Sequence, residues 1–223
     1  MKQIKGGVTA AKGYEAASTA AGIKYQGRTD MALIYSQVPC VSAGTFTTNV
    51  VKAAPVKWDR QIVDSGAGVQ AVVVNSGIAN ACTGEEGMGY CKETAEAAAK
   101  ALNIDAAGVL VGSTGVIGMQ LPMQKLVDGI QVLAGKKAEG LQSGHDAALA
   151  IMTTDTVEKE MVSYIQQNFT GKISLREFGE QFHLSEKYIS RYFKEHFHIT
   201  LSQYVTYLRL EHAKQLLQDT DIP

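Results

Sequence analysis

The stretch IMTTDTVEKEMVSYIQQNF, residues 151–169, joins two kinds of sequence. Before it the chain is built from Gly, Ala, Val, Ser and Thr. After it come Glu, Lys, Gln, Phe, Tyr and His at helical spacing. Twenty of the 22 glycines lie in 1–156 and ten of the sixteen aromatics in 157–223, which divides the chain at 156/157. Domain boundaries ordinarily carry an exposed Pro/Gly/polar linker, and this one has none. The expected architecture is an α/β layered N-terminal domain, truncated, over 1–156, joined to a small all-α unit over 157–223.

A chain of 223 residues with 45% hydrophobic content can bury a core in each part. A formal charge of −1 gives no overall attraction to polyanions, so any nucleic-acid contact must come from a local patch. Cys40, Cys82 and Cys91 are odd in number and form no CxxC pair, which reads as reduced, mostly buried thiols of a cytosolic protein. The N-terminal residues contain no apolar targeting segment, and no run reaches the ~18 apolar residues of a membrane span. The expected setting is the cytoplasm.

Within 1–156, MALIYS (31–36) and VQAVVVNSG (69–77) read as strands, β-branched and ended by turn residues. GMGYCKETAEAAAKALN (87–103) reads as a helix with Lys92, Glu96 and Lys100 on one face. AAGVLVGSTG (106–115) is a strand entering a glycine turn. LPMQKLVDGIQVLAG (121–135) is a helix with Pro122 in its first turn and Met123, Leu126, Val127 and Ile130 on its apolar face. This alternation predicts α/β layers. Two turns stand at the ends of the most apolar strands: Asn75-Ser76-Gly77 and Gly112-Ser113-Thr114-Gly115. Converging backbone N–H groups and a hydroxyl at such a turn suit a developing oxyanion. The same residues equally suit ordinary strand-ending turns, just as Thr153, Thr154 and Asp155 suit the N-cap of the next helix.

Seven ordered segments decide between these readings: GIK (22–24), DMALIYS (30–36), AGTFTTN (43–49), AAPV (53–56), VVNSGIANACTG (73–84), GSTGVIGMQLPM (112–123) and AIMTTDT (150–156). Together they resemble the N-terminal part of the ornithine acetyltransferase (ArgJ) family over essentially all of 1–156. The resemblance implies a cytosolic enzyme of arginine biosynthesis that moves an acetyl group from N-acetylornithine to glutamate. It implies no bound cofactor, although part of the family also uses acetyl-CoA as acetyl donor. Such enzymes cleave themselves into α and β chains and expose a threonine nucleophile on the β chain. By position, Thr114 and Gly115 match the family's oxyanion-hole pair, and Thr153 and Thr154 its substrate-contacting threonine. Ile78 stands where the family pattern has Asn. The stretch carrying the nucleophile has no counterpart in this sequence, so a β chain is an expected missing partner and catalysis by this chain alone is not expected.

From Val157 the period becomes 3.6. VEKEMVSYIQQNF (157–169) places Val157, Met161 and Ile165 on one stripe. Ser174-Leu175-Arg176-Glu177 is a capping box opening a second helix with Leu175, Phe178 and Phe182 apolar. His183-Leu184 makes a turn, and Ser185 caps a third helix, EKYISRYFKEHF, with Ile189, Tyr192 and Phe193 toward the core. Lys187, Arg191 and Lys194 share another face, which suits either solvent or DNA. A long helix follows over 200–220. The pattern from 175 to 223 resembles the first half of an AraC-type helix-turn-helix DNA-binding domain. That resemblance makes 186–197 the recognition helix and Ser185, Lys187, Ser190, Arg191 and Lys194 candidate contacts to bases or phosphates. With eight Lys/Arg against nine Asp/Glu in 157–223, DNA binding through 174–197 is expected to be weak and salt-sensitive. His183, His196, His198 and His212 lack cysteine partners at zinc spacing, so no metal is expected. Leu216 and Leu217 are expected to be exposed.

Three functional readings follow: a glutamate N-acetyltransferase fragment fused to a helix-turn-helix, an AraC-type transcriptional regulator with an accessory N-terminal domain, and a chimeric reading frame without selected function.

Overall fold

The structure, a computed structural model, describes residues 7–152, 160–182 and 185–219. The chain packs as two compact units, Met1–Thr156 and Val157–Pro223.

The first unit is a four-stranded sheet in the order β1-β2-β3-β4, formed by β1 (Tyr14–Thr19), β2 (Met31–Cys40), β3 (Val69–Asn75) and β4 (Val109–Ser113). β1 and β3 run antiparallel to β2, while β3 and β4 are parallel, with Asn75 opposite Ser113. A parallel pair needs a crossover, here α2 (Glu86–Leu102). Alternation along the strands sorts the side chains into two faces. Ala17, Met31, Leu33, Ala71, Val73, Val109 and Val111 enter the main core, against Leu126, Ile130 and Leu133 of α3 (Met123–Lys136) and Cys91, Ala95 and Ala98 of α2. Ala16 and Ala32 point the other way and meet Ala147 and Ala150 of α4 (Leu141–Ala150). The buried apolar contacts here are all alanine, so the helix can approach the sheet closely.

The outer side of β4 is covered by side chains of α1 (Ala54–Ser65). Trp58 Nε1 donates to the Val109 carbonyl at 3.2 Å, and Asp59 accepts from the Val111 N–H at 2.9 Å. An edge that would otherwise expose unpaired backbone groups is thus satisfied without another strand. Between β2 and α1 the irregular segment 41–53 leaves Val41, Val50 and Val51 exposed.

In the second unit, α5 (Glu160–Asn168), α6 (Leu175–Phe182), α7 (Glu186–Phe197) and α8 (Leu201–Asp219) enclose Ile165, Phe178, Ile189, Phe193, Leu201 and Val205. Aromatic packing supplies much of this small core: Tyr164 meets Phe178 at 5.8 Å between ring centroids, and Phe193 stacks on Phe197 at 5.3 Å. The caps follow the sequence. Ser174 Oγ accepts from the Glu177 N–H and donates to its carboxylate, and Ser185 Oγ accepts from the Tyr188 N–H. Arg209 of α8 donates to the Phe169 carbonyl at 2.6 Å and the Gly171 carbonyl at 2.7 Å, occupying acceptors just beyond the end of α5. Leu216 and Leu217 are exposed, as expected. Val157, Thr153 to Thr156 with the Asp155–Glu158 capping pattern, and the His183-Leu184 turn lie outside the described residues, as do the side chains of Met161, Phe182 and His196.

Candidate functional site

β3 and β4 are parallel and in register, so both end at the same level and their two following turns meet. The contact is continued by a short bridge between Ile78 and Val116. The Thr114 N–H donates to the Asn75 carbonyl at 3.0 Å, the Val116 N–H to the Gly77 carbonyl at 3.1 Å, and the Ala79 N–H to the Val116 carbonyl at 2.9 Å. Gly115 has φ +132°, and a Cβ there would lie 2.3 Å from the Gly77 carbonyl carbon. Gly77 itself has φ +101°. Both positions need glycine, one for close approach and both for conformation.

Beneath the turns lies a buried polar network. Ser113 Oγ donates to Asn75 Oδ1 at 2.7 Å and accepts from the Asn80 N–H at 2.9 Å. Asn75 Nδ2 donates to the Ile78 carbonyl at 2.8 Å. Asn80 Nδ2 donates to the Gly87 carbonyl at 2.8 Å, and Thr83 Oγ1 to Asn80 Oδ1 at 2.7 Å. Ser76, also buried, donates its N–H to the Asp30 carbonyl and its hydroxyl to the Ala150 carbonyl. Such satisfied networks fix the geometry of what they carry. Ile78, which stands where the family resemblance has Asn, is buried in the main core, so an apolar side chain fits that position.

The turns form one wall of a cleft of about 410 Å³ lined by Lys24, Arg28, Asp30, Ser76, Thr114 and Gly115, among others. Among the described residues, the Thr114 hydroxyl and the Gly115 N–H have no hydrogen-bond partner, so two donors stand side by side at the cleft wall. Asp30 is buried but occupied: its carboxylate accepts from the Ala21 N–H at 2.7 Å and the Ile23 N–H at 2.6 Å. Arg28 Nη2 donates to the Met152 carbonyl at 2.6 Å. Met152 lines the cleft, and Thr153 and Thr154, expected to touch substrate, follow it outside the described residues. Lys24, Arg28 and Asp30 were not singled out from the sequence, whereas Ser113 belongs to one of the two turns that were. The GIK and DMALIYS segments contained the first and third of them, and an Asp directly before an apolar strand was the available signal for a buried anchor.

On the core side of the network, burial, and secondarily the charge of Asp59, push the Cys91 thiol up to about 12, so it stays protonated. Burial likewise pushes the Asp59 carboxyl up to about 6, against the lowering effect of the Val111 N–H. The three cysteines are free as expected, but only Cys91 is buried, and Cys82 is exposed. No group of three or more His, Cys, Asp or Glu suited to a metal ion occurs among the described residues. No described helix is long and apolar enough to cross a membrane.

In the second unit Ser185, Lys187, Ser190, Arg191 and Lys194 are all exposed on α7, while Ile189 and Phe193 are buried. Ser185 Oγ is engaged as the helix cap. The Arg191 guanidinium lies 5.8 Å from the Tyr188 ring centroid. The face is therefore presented to solvent along its whole length.

Comparison with known proteins fits both halves. The model of the ArgJ family matches residues 15–177, and that of a helix-turn-helix domain matches 178–223. The boundary between these matches cuts α6, yet Leu175 and Phe178 on its two sides pack into one cluster with α7 and α8. The chain is 49% identical over 170 residues to the arginine biosynthesis bifunctional protein ArgJ of Mycolicibacterium paratuberculosis, covering 74% of this chain and 42% of that protein. With the Streptomyces coelicolor protein of the same name it shares 53% over 156 residues, 70% of this chain and 40% of that one. The chain thus spans about two fifths of the length of these relatives. Among solved structures, ornithine acetyltransferase from Mycobacterium tuberculosis, complexed with ornithine, superposes with TM-score 0.66 at 48% identity, over 68% of this chain and 81% of that chain. The ArgJ structure from Bacillus halodurans gives TM-score 0.65 at 41% identity, over 68% and 78%. With its strand-end turns, its cleft and these relatives pointing the same way, the chain belongs to the ArgJ family and carries a helix-turn-helix domain after its ArgJ part.

Proposed function

We propose that residues 1–156 supply the oxyanion-stabilising wall of a glutamate N-acetyltransferase site, which transfers acetyl from N-acetylornithine to glutamate. The single observation that carries this reading is the pair of unengaged donors, Thr114 Oγ1 and Gly115 N–H, held over a polar network at the mouth of a cleft. When a nucleophile attacks the acetyl carbonyl, charge moves onto its oxygen, and donors already in place stabilise that charge without reorganising. Thr153 and Thr154, directly after the lining residue Met152, are proposed to contact the substrate. The nucleophile is proposed to come from a separate β chain, because the sequence has no counterpart of the family's nucleophile-bearing stretch. The chain alone is then inactive, and mixing it with a purified ArgJ β chain should restore acetyl transfer. Failure to restore it would remove the reading. We also propose 156/157 as the domain boundary.

A second reading is favoured by the exposed Lys187, Arg191 and Lys194 of α7, namely weak DNA binding by the second unit. Its test is a gel shift at low salt, where phosphate contacts are strongest.

A further inference from the structure

Asn75, the last residue of β3, is buried and does not line the cleft, yet it is bonded to both turns that do. Its main-chain carbonyl accepts from the Thr114 N–H at 3.0 Å. Its side-chain Oδ1 accepts at 2.7 Å from the hydroxyl of Ser113, the residue directly before Thr114. Its Nδ2 donates at 2.8 Å to the carbonyl of Ile78, the residue directly after Gly77. Ser113 Oγ also lies 3.1 Å from that carbonyl, so carboxamide, hydroxyl and carbonyl form a closed triangle between the two turns.

The chemistry of this triangle calls for a carboxamide. The Ile78 carbonyl needs a donor. The Ser113 hydroxyl, which already accepts from the Asn80 N–H, needs an acceptor. Asn offers one of each on a single planar group. An aliphatic side chain of similar size would leave both partners short of a bond inside the protein. A carboxylate would set an acceptor against the Ile78 carbonyl and place a negative charge behind donors that are to receive an oxyanion.

We propose that Asn75 is a positioning residue for acyl transfer: through Ser113 and Ile78, its carboxamide holds the Thr114 hydroxyl and the Gly115 N–H at the spacing one oxyanion requires. Its neutrality keeps a competing negative charge away from that place. Asn75 does this without touching substrate. The assignment rests on the acyl-transfer reading above.

The test is the kinetics of Asn75→Ala and Asn75→Asp in the mixture of full chain and purified ArgJ β chain, with Trp58 fluorescence reporting the folded fraction. Asn75→Ala is expected to lower kcat about 10²-fold with little change in KM, the scale of a misplaced group near the reacting atoms. Asn75→Asp should be as impaired at high pH. It should recover about tenfold relative to wild type toward low pH, where the protonated carboxyl donates to Ile78 and accepts from Ser113 again. Ionisable neighbours are common to both proteins and drop out of the ratio: Tyr90 and Cys91 of α2 line the same internal gap, Asp59 of α1 binds β4, and the Asp30 carbonyl binds Ser76. Should these variants not fold, Ser113→Ala cuts the same triangle at a half-buried residue and should lower kcat about tenfold, again with little change in KM. A wild-type kcat per folded chain in these variants, or an Asn75→Asp loss that does not vary with pH, overturns the assignment and leaves the acyl-transfer reading in place. A wild-type chain that forms no N-acetylglutamate in the mixture overturns that reading and the role of Asn75 with it.

Discussion

Gly115 packs against Gly77 so closely that a single added methyl would lie 2.3 Å from the Gly77 carbonyl carbon and 2.7 Å from the Ile78 nitrogen. The obstructing atoms are backbone, held by the Asn75–Ser113–Asn80 network, and cannot rotate away. Gly115→Ala must therefore push the two turns apart. Its φ of +132° adds strain for any side chain. The expected loss is about 2 kcal/mol or more, in the range of overpacking in a tight site. Trp58, the only tryptophan, lies in the first unit, so its fluorescence during denaturant unfolding isolates that unit's transition. A wild-type midpoint would show that the turns are not packed in this way.

Asp59 predicts a pH dependence in the same signal. Its folded-state carboxyl is pushed up to about 6 from an ordinary 3.8, mainly by burial. Between these values the folded protein binds more protons than the unfolded chain, so this group makes stability fall as pH rises. The penalty is absent below the lower value and complete above the upper one. Asp59→Asn keeps an oxygen for the Val111 N–H and removes the charge. It should raise stability at pH 8 by roughly 1 kcal/mol after allowing for solvent screening of a half-buried group, with the gain vanishing near pH 4. A gain that is equal at both pH values would sink the assignment.

Arg209 holds the second unit together from its edge, through two bonds to backbone carbonyls past the end of α5. Its loss in Arg209→Ala should cost about 1–2 kcal/mol, as for charge-assisted hydrogen bonds in contact with solvent. Arg209→Lys should recover less than half, because an ammonium cannot reproduce the planar two-point geometry. Circular dichroism at the helix band would read this as a lower-temperature melting phase. The Trp58 transition should not move.

For the basic face of α7, Lys187→Ala and Arg191→Ala should each weaken a low-salt gel shift, and the double variant should abolish it. With about three phosphate contacts, wild-type affinity should fall roughly as the third power of salt concentration. A complex that forms equally well with both variants would move the contact elsewhere on the unit.

Much of this fold was readable in advance because its signals are local. The Val69–Asn75 strand, the Ala-rich α2 and the Ser174 and Ser185 caps depend on neighbours within a few residues, and each occurs where its pattern predicts. What escaped were elements defined by tertiary packing. β1, α1 and α4 carry small or mixed residues with weak periodicity, and α4 contributes alanines whose value lies only in close approach to Ala16 and Ala32. At the cleft, Thr114 and Gly115 were legible through family resemblance, since spacing alone suits an ordinary turn equally well. Asp30 and Lys24 gave no periodic signal, because their positions come from a loop folded around a carboxylate. The contact between Gly77 and Gly115, 38 residues apart, becomes visible only once β3 and β4 are paired in parallel.

The central claim is that Thr114 and Gly115 stabilise the oxyanion of acetyl transfer, and the most direct measurement is the rate of that transfer in a mixture of this chain with a purified ArgJ β chain. With N-acetylornithine and glutamate, wild type should form N-acetylglutamate, and Thr114→Ala should lower kcat about 10²–10³-fold, the effect of losing one oxyanion donor. KM should change little, because the lost bond matters in the transition state. A folded Thr114→Ala chain that supports the wild-type rate would contradict the account.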